Sequence, residues 1–297
     1  MNTMKKNTVV VLFHLLSIVS SKAQDFETFT YFKNDSISLD LDLFLPKDRD
    51  SLNSALVIYV HGGGFSNGRR ENGHNLAKHL SENNIACASI SYSLYMKNKG
   101  FDCKQALSEK VKAIQIAASQ LWKATEFLIE KSGKLNIDST KIFIAGSSAG
   151  AETVLHAAYW KREQMQLYES KLVSDFKYAG VISGAGALMD LNLITRSSAI
   201  PFMGFHGDAD PLVPYKTASH HYCAPNSNGW LMLFGSHTVA EHLQSLNQTS
   251  QLITFEGGGH SYAGAYFYQD QRPVSDFIKR VLNGERFNSY QTLKAEN

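Results

Sequence analysis

Six consecutive apolar residues, Ala55–Val60, run directly into His61-Gly62-Gly63-Gly64. A run this short and uniformly apolar, stopped by glycine, suits a strand covered on both faces. Such strands belong to mainly parallel sheets with helices packed on either side, and this limits the fold more than any other feature of the chain. The remaining sequence supplies the layers. Strands are predicted at Thr28–Lys33, Ser36–Leu45, Ile85–Tyr92, Lys141–Ala145, Ala179–Ser183, Pro201–Phe205 and Leu252–Phe255. Helices are predicted at Gly73–Glu82, Glu109–Lys131, Ala149–Trp160, His237–Leu246 and Val274–Leu282, the second carrying Ile114, Ala117, Leu121, Ala124 and Leu128 at helical spacing. The expectation is an α/β fold with no internal repeat and no Pro-, Gly- or Ser-rich linker, so residues 24–297 form a single domain. The connection from Gly186 to Pro201 is too short to carry a large cap domain, while 92–108 and 211–236 are long enough to wall an open pocket.

Residues Met1–Ala23 have the pattern of a secretory signal: Lys5 and Lys6, a mostly apolar Thr8–Val19, and small residues Ser21 and Ala23 at the −3 and −1 positions. The apolar stretch falls short of the roughly 20 residues that span a bilayer, so no membrane attachment is expected after its removal. The chain carries 29 basic and 27 acidic residues for a formal net charge of +2, and loss of the three lysines in 1–23 leaves −1. With no Lys/Arg-rich run, nothing points to a nucleic-acid partner. Three cysteines without a CxxC pair exclude a disulfide-dense scaffold and a structural zinc cluster. Cys87 lies in a strand-like run and reads as a small buried hydrophobe. Cys103 and Cys223 fall in loop-like segments, and in a secreted or periplasmic protein they could be bridged or free. Asn34-Asp35-Ser36 and Asn247-Gln248-Thr249 fit the glycosylation acceptor pattern.

Gly146-Ser147-Ser148-Ala149-Gly150 lies between a predicted strand and a predicted helix. This is G-x-S-x-G in strand–turn–helix context, where glycines permit a cramped turn that lifts the Ser148 hydroxyl above the sheet. The helix N-terminus beneath it favours a developing oxyanion. Ser147 is expected to face away from the pocket. In His61-Gly62-Gly63-Gly64-Phe65 the glycines let backbone amides approach a carbonyl, so Gly63, Gly64 and Ala149 are the candidate oxyanion donors. No lysine follows in P-loop spacing, and His61 reads as a brace for this loop rather than a base. His206-Gly207-Asp208-Ala209-Asp210 supplies an acid to orient a histidine. Asp210 is favoured over Asp208, which sits inside the tight turn, and over Asp190. Gly257-Gly258-Gly259-His260 follows the last predicted strand, and only His260 completes the order serine, aspartate, histidine. His74, His79, His156 and His242 fall on helices and read as surface or packing residues, whereas His220, His221 and His237 are candidate pocket contacts. Phe65, Tyr92, Tyr159 and Trp160 read first as core and second as lining for an acyl or sugar subsite. No HExxH pattern or Cys/His grouping calls for a metal, and no cofactor is expected.

Taken together, HGGGF at 61–65, GSSAG at 146–150, HGDADPLVP at 206–214 and GGGH at 257–260 resemble an α/β-hydrolase fold serine esterase, over about Asp40 to Leu282. The HGGG element is similar to hormone-sensitive-lipase-like carboxylesterases. The HGxxDxxVP element is similar to secreted feruloyl and acetyl-xylan esterases and to prolyl-oligopeptidase-type catalytic domains. The lipase-like group's GDSAGG is replaced here by Gly146-Ser147-Ser148-Ala149-Gly150-Ala151, and its cap is missing. The resemblance implies acyl transfer from a small-molecule or polysaccharide-linked ester, with Ser148, Asp210 and His260 as triad. The competing expectations are a secreted serine peptidase and a non-catalytic binding protein on the same fold.

Overall fold

The computed structural model describes residues 25–47 and 53–296, so the predicted signal at 1–23 lies outside the described residues. In chain order the elements are β1 (Glu27–Lys33), β2 (Ser38–Phe44), β3 (Ser54–Val60), α1 (His74–Glu82), β4 (Ala86–Ile90), α2 (Leu107–Leu135), β5 (Ile137–Ser147), α3 (Ala149–Tyr159) and α4 (Arg162–Met165). Then follow β6 (Gly180–Gly184), β7 (Ala187–Leu188), β8 (Phe202–Gly207), β9 (Thr217–Ser219), β10 (Met232–Gly235), α5 (Ser236–Ser245), β11 (Ser250–Glu256), α6 (Arg272–Leu282) and β12 (Asn288–Lys294). Nine strands form one sheet in the order β1-β2-β4-β3-β5-β6-β8-β11-β12. β1–β2 and β2–β4 are antiparallel and the other neighbours are parallel, so β3 and β5 lie at the buried centre.

β3 shows why the sequence demanded two cores. Leu56, Ile58 and Val60 join a cluster with Ala117 and Leu121 of α2, Val154 of α3 and Val239 of α5. Val57 and Tyr59 join the opposite cluster with Leu76 of α1 and Val274 and Phe277 of α6. Successive strand side chains point to opposite faces, so a strand between two helical layers has no face to leave polar. Ile58 is wholly buried, and Ile58→Ala would cost about 2–5 kcal/mol in lost transfer energy and cavity formation. α2 ends at Asn136, whose left-handed backbone (φ 54°) closes the helix before β5 departs.

The parallel sheet with helices on both faces agrees with the expected α/β-hydrolase architecture. Two parts differ from expectation. β12 completes one edge of the sheet with the mostly exposed sequence Asn-Ser-Tyr-Gln-Thr-Leu-Lys, pairing in parallel with β11 after the α6 crossover. A second, three-stranded sheet, β7-β10-β9, joins Ala187–Leu188 to two short strands within 211–236, the segment expected to wall the pocket and for which no strand was predicted. No helix among the described residues is long and apolar enough to cross a membrane.

Candidate active site

The site lies at the carboxyl ends of β3, β5, β8 and β11, where the loops leaving four strands converge. β5 turns into α3 through Ser148, a non-glycine residue held at φ 53° and ψ −122°. Strain of this kind persists only where the surroundings impose it. Gly146 and Gly150 make the turn feasible: a Cβ on Gly146 would meet Gly150 O at 2.3 Å, and one on Gly150 would meet Val60 O at 2.1 Å. Ser148 holds the N-cap position of α3 yet does not cap it. Its Oγ instead donates to His260 Nε2 at 2.7 Å.

His260 Nδ1 donates to Asp210 Oδ2 at 2.6 Å. The structure thus brings Ser148, His260 and Asp210 into one continuous hydrogen-bonded line. Asp208 stands elsewhere: its Oδ1 accepts the Gly257 amide at 2.7 Å and fastens the histidine loop to the aspartate loop. Asp190 accepts from its own turn, at Asn192. Asp210 is 1% exposed and fully engaged. Its Oδ1 accepts from the amides of Leu212 and Val213, and its Oδ2 also accepts a hydrogen bond from Nε2 of the buried His206 at 3.2 Å. Burial alone would raise its carboxyl. Hydrogen bonds from His206 and His260, with the charge of both, outweigh burial and hold it well below the usual carboxylate range. His206 was not singled out from the sequence, although its place in HGDAD, four residues before the acid, is the helpful signal.

Gly63, Gly64 and Ala149 line the same cavity as Ser148 and His260. Ala149 is the first residue of α3, so its amide has no partner within the helix. Gly63 adopts φ +116° with its carbonyl accepting from Ser66 and Asn67, and a Cβ there would meet Asn67 O at 2.2 Å. His61 braces this loop as expected: it is buried, donates to Gly62 O at 2.7 Å and stacks on Tyr92 at 4.4 Å. Burial lowers its pKa, which suits a neutral structural imidazole.

The cavity occupies about 490 Å³. His220 and His221 line it, while His237 lines a separate cavity with Asp208 and Tyr222. Phe65, Tyr92 and Tyr159 are buried in the core, and neither they nor Trp160 line the site cavity. The aromatic side chains that do so are Phe101 and Tyr268. Ser147 departs from expectation. Rather than facing away, it lines the cavity, with Oγ 3.1 Å from the Tyr268 hydroxyl, which in turn pairs with Tyr59 at 2.8 Å. Cys103 and Cys223 are bridged, tying the loop after Phe101 to the loop after His220, and Cys87 is a buried free thiol. Glu152, one turn beyond Ser148, also lines the cavity and was missed.

This fold and this constellation define an α/β-hydrolase of the serine-esterase type. A model of the BD-FAE family matches residues 41–199, which is more than half of the chain. The chain belongs to that family of esterase-like α/β-hydrolases and is a carboxylesterase. Among solved structures, esterase 2 of Thermogutta terrifontis phosphorylated by paraoxon is similar at a TM-score of 0.62 and 16% identity, covering 88% of this chain and 94% of that one. The same esterase with propionate bound matches at 0.61 and 15%, covering 89% and 96%, and with butyrate bound at 0.60 and 15%, covering 88% and 94%. A comparison with curated proteins finds no match.

Proposed function

We propose that the protein hydrolyses short-chain or polysaccharide-linked acetyl or feruloyl esters through an acyl-enzyme on Ser148. The observation that carries this reading is the line Ser148 Oγ–His260 Nε2 at 2.7 Å and His260 Nδ1–Asp210 Oδ2 at 2.6 Å. His260 takes the Ser148 proton as Oγ bonds to the ester carbonyl carbon. The oxyanion is held by the amides of Gly63, Gly64 and Ala149. His260 then gives the proton to the departing alcohol oxygen as the C–O bond breaks. Water, deprotonated by the same imidazole, attacks the acyl-enzyme and releases the acid. Asp210 fixes the Nδ1–H tautomer and stabilises the imidazolium. The propionate- and butyrate-bound Thermogutta esterase supports a short acyl group by analogy of fold.

Residues 24–297 act in this reading as one catalytic domain, exported by the signal at 1–23. The Cys103–Cys223 bridge supports an oxidising compartment. The test measures acid released from acetylated xylan, with p-nitrophenyl acetate as positive control and Ser148→Ala as blank. Serine-dependent release from the polymer supports the polysaccharide reading, and activity confined to the small ester overturns that part. Turnover by Ser148→Ala at the wild-type rate would sink the mechanism.

A further inference from the structure

Glu152 follows Ser148 by one helical turn, its amide bonded to Ser148 O at 3.0 Å, so both side chains rise from one face of α3. Its side chain lines the site cavity although the residue is only 1% exposed. Oε1 lies 3.4 Å from Nε2 of His220, itself 2% exposed, without the alignment of a hydrogen bond. His220 Nδ1 also has no hydrogen-bond partner. Two buried polar groups left unsatisfied beside one nucleophile are costly, at odds with the rule that buried polar atoms find partners. A ligand hydroxyl, which both donates and accepts, would complete them.

We propose that Glu152 and His220 form a subsite for a hydroxyl group on the alcohol half of the ester, selecting esters of polyhydroxylated alcohols over those of plain aliphatic ones. The charge state of the subsite favours a neutral guest. Burial pushes the Glu152 carboxyl up to about 8, against the pull of nearby Lys110, so it keeps its proton at neutral pH. Burial, then the charges of His221 and Lys110, lower the pKa of His220 and keep its imidazole neutral. Lys110 is wholly buried and engaged with Gly229 O at 2.9 Å. Nothing in that set calls for an ammonium group, and a carboxylate would lose its hydration to meet a protonated acid.

The side of the cavity identifies the half of the substrate. His220 precedes His221, whose amide donates to Leu212 O at 2.7 Å in the loop that follows Asp210, and both line the cavity that His260 lines. His260 delivers its proton to the departing alkoxide, so the wall beside it faces the alcohol. That wall is fixed in place. Phe101 packs edge-on against His220 at 5.1 Å, and the Cys103–Cys223 bridge joins their loops. The subsite rests on the acyl-enzyme reading above.

The test compares kcat/KM for glycerol monoacetate and propyl acetate, which share an acyl group and differ in hydroxyls, in wild type, Glu152→Gln, Glu152→Leu and His220→Leu. The ratio of the two esters cancels the folded fraction, so a poorly folding variant still reports. Wild type should prefer the hydroxylated ester. Glu152→Leu and His220→Leu should lower the ratio by about tenfold or more, as expected when a group is left without its partner. Glu152→Gln, which keeps an acceptor and a donor, should retain most of it. An equal ratio in wild type, or one unchanged in both leucine variants, overturns the subsite while leaving the esterase mechanism standing. Failure of wild type on both esters and on p-nitrophenyl acetate overturns the acyl-enzyme reading, and the subsite with it.

Discussion

Asp210→Asn tests the wiring of the site atom by atom. Oδ1 of Asp210 accepts the fixed amides of Leu212 and Val213 at 2.8 and 3.1 Å, and Oδ2 accepts from His260 and His206 at 2.6 and 3.2 Å. An asparagine keeps its carbonyl where the two amides donate, so its NH₂ takes the place of Oδ2. That group donates to His260 Nδ1, which must then move its proton to Nε2. An imidazole protonated on Nε2 cannot accept the Ser148 proton. In another serine triad this tautomer trap lowers kcat by about 10⁴-fold, and a loss of that order is expected here. Stability should change by no more than about 1 kcal/mol, because each new donor finds an acceptor. The second N–H meets His206 Nε2, and His206 shifts its proton to Nδ1, where Ser236 Oγ accepts it and donates on to Gly186 O. The assay is p-nitrophenyl acetate hydrolysis beside a thermal melt. Asp208→Asn is the control: its single fixed contact, the Gly257 amide, is met equally by an amide oxygen, so activity should stay within about threefold. Wild-type-like rates in Asp210→Asn, or an equal loss in Asp208→Asn, would refute the assignment.

Stability should carry the signature of Glu152. Its carboxyl is raised from 4.5 to about 8 by burial, so the native state keeps a proton that the unfolded chain has released. Stability therefore falls as pH rises from about 4.5 to about 8, by at most about 4 kcal/mol. Glu152→Gln removes that slope, so its melting temperature should gain on wild type between pH 5 and pH 8; parallel profiles would contradict the buried, protonated carboxyl. Cys103→Ser with Cys223→Ser opens a loop of sequence separation 120, which by chain entropy costs up to about 5 kcal/mol. Denaturant midpoints of the oxidised and doubly substituted proteins measure it, and coincident curves would show that the bridge contributes nothing.

The sequence displayed the centre of the molecule clearly and its margins poorly. β3 and β5 are apolar on both faces and are flanked by glycines whose close contacts leave no room for a Cβ, so the strands, the turn and the position of Ser148 on it were legible together. His260 followed from chain order, and Asp210 from its place before Pro211. β12 was invisible because an edge strand needs no apolar run: Asn288–Lys294 is mostly exposed and pairs on one side only. The small sheet was hidden by strands of two to four residues. Glu152 escaped notice because a lone glutamate in an Ala-rich helix reads as a solvent-facing residue, and only the packing of α3 against the sheet buries it. Cys103 and Cys223 could not be paired from the sequence, since loop positions alone do not fix the distance between them.

The most direct test of the central claim is covalent labelling of Ser148. Incubation with paraoxon, followed by peptide mapping, reads which oxygen displaces p-nitrophenol. The account expects stoichiometric p-nitrophenol release, a diethylphosphoryl group on the peptide containing Ser148 and complete loss of ester hydrolysis in the wild type, with neither release nor label in Ser148→Ala. Label on a different residue with hydrolysis lost, or a Ser148→Ala protein that still turns over p-nitrophenyl acetate at the wild-type rate, would contradict it.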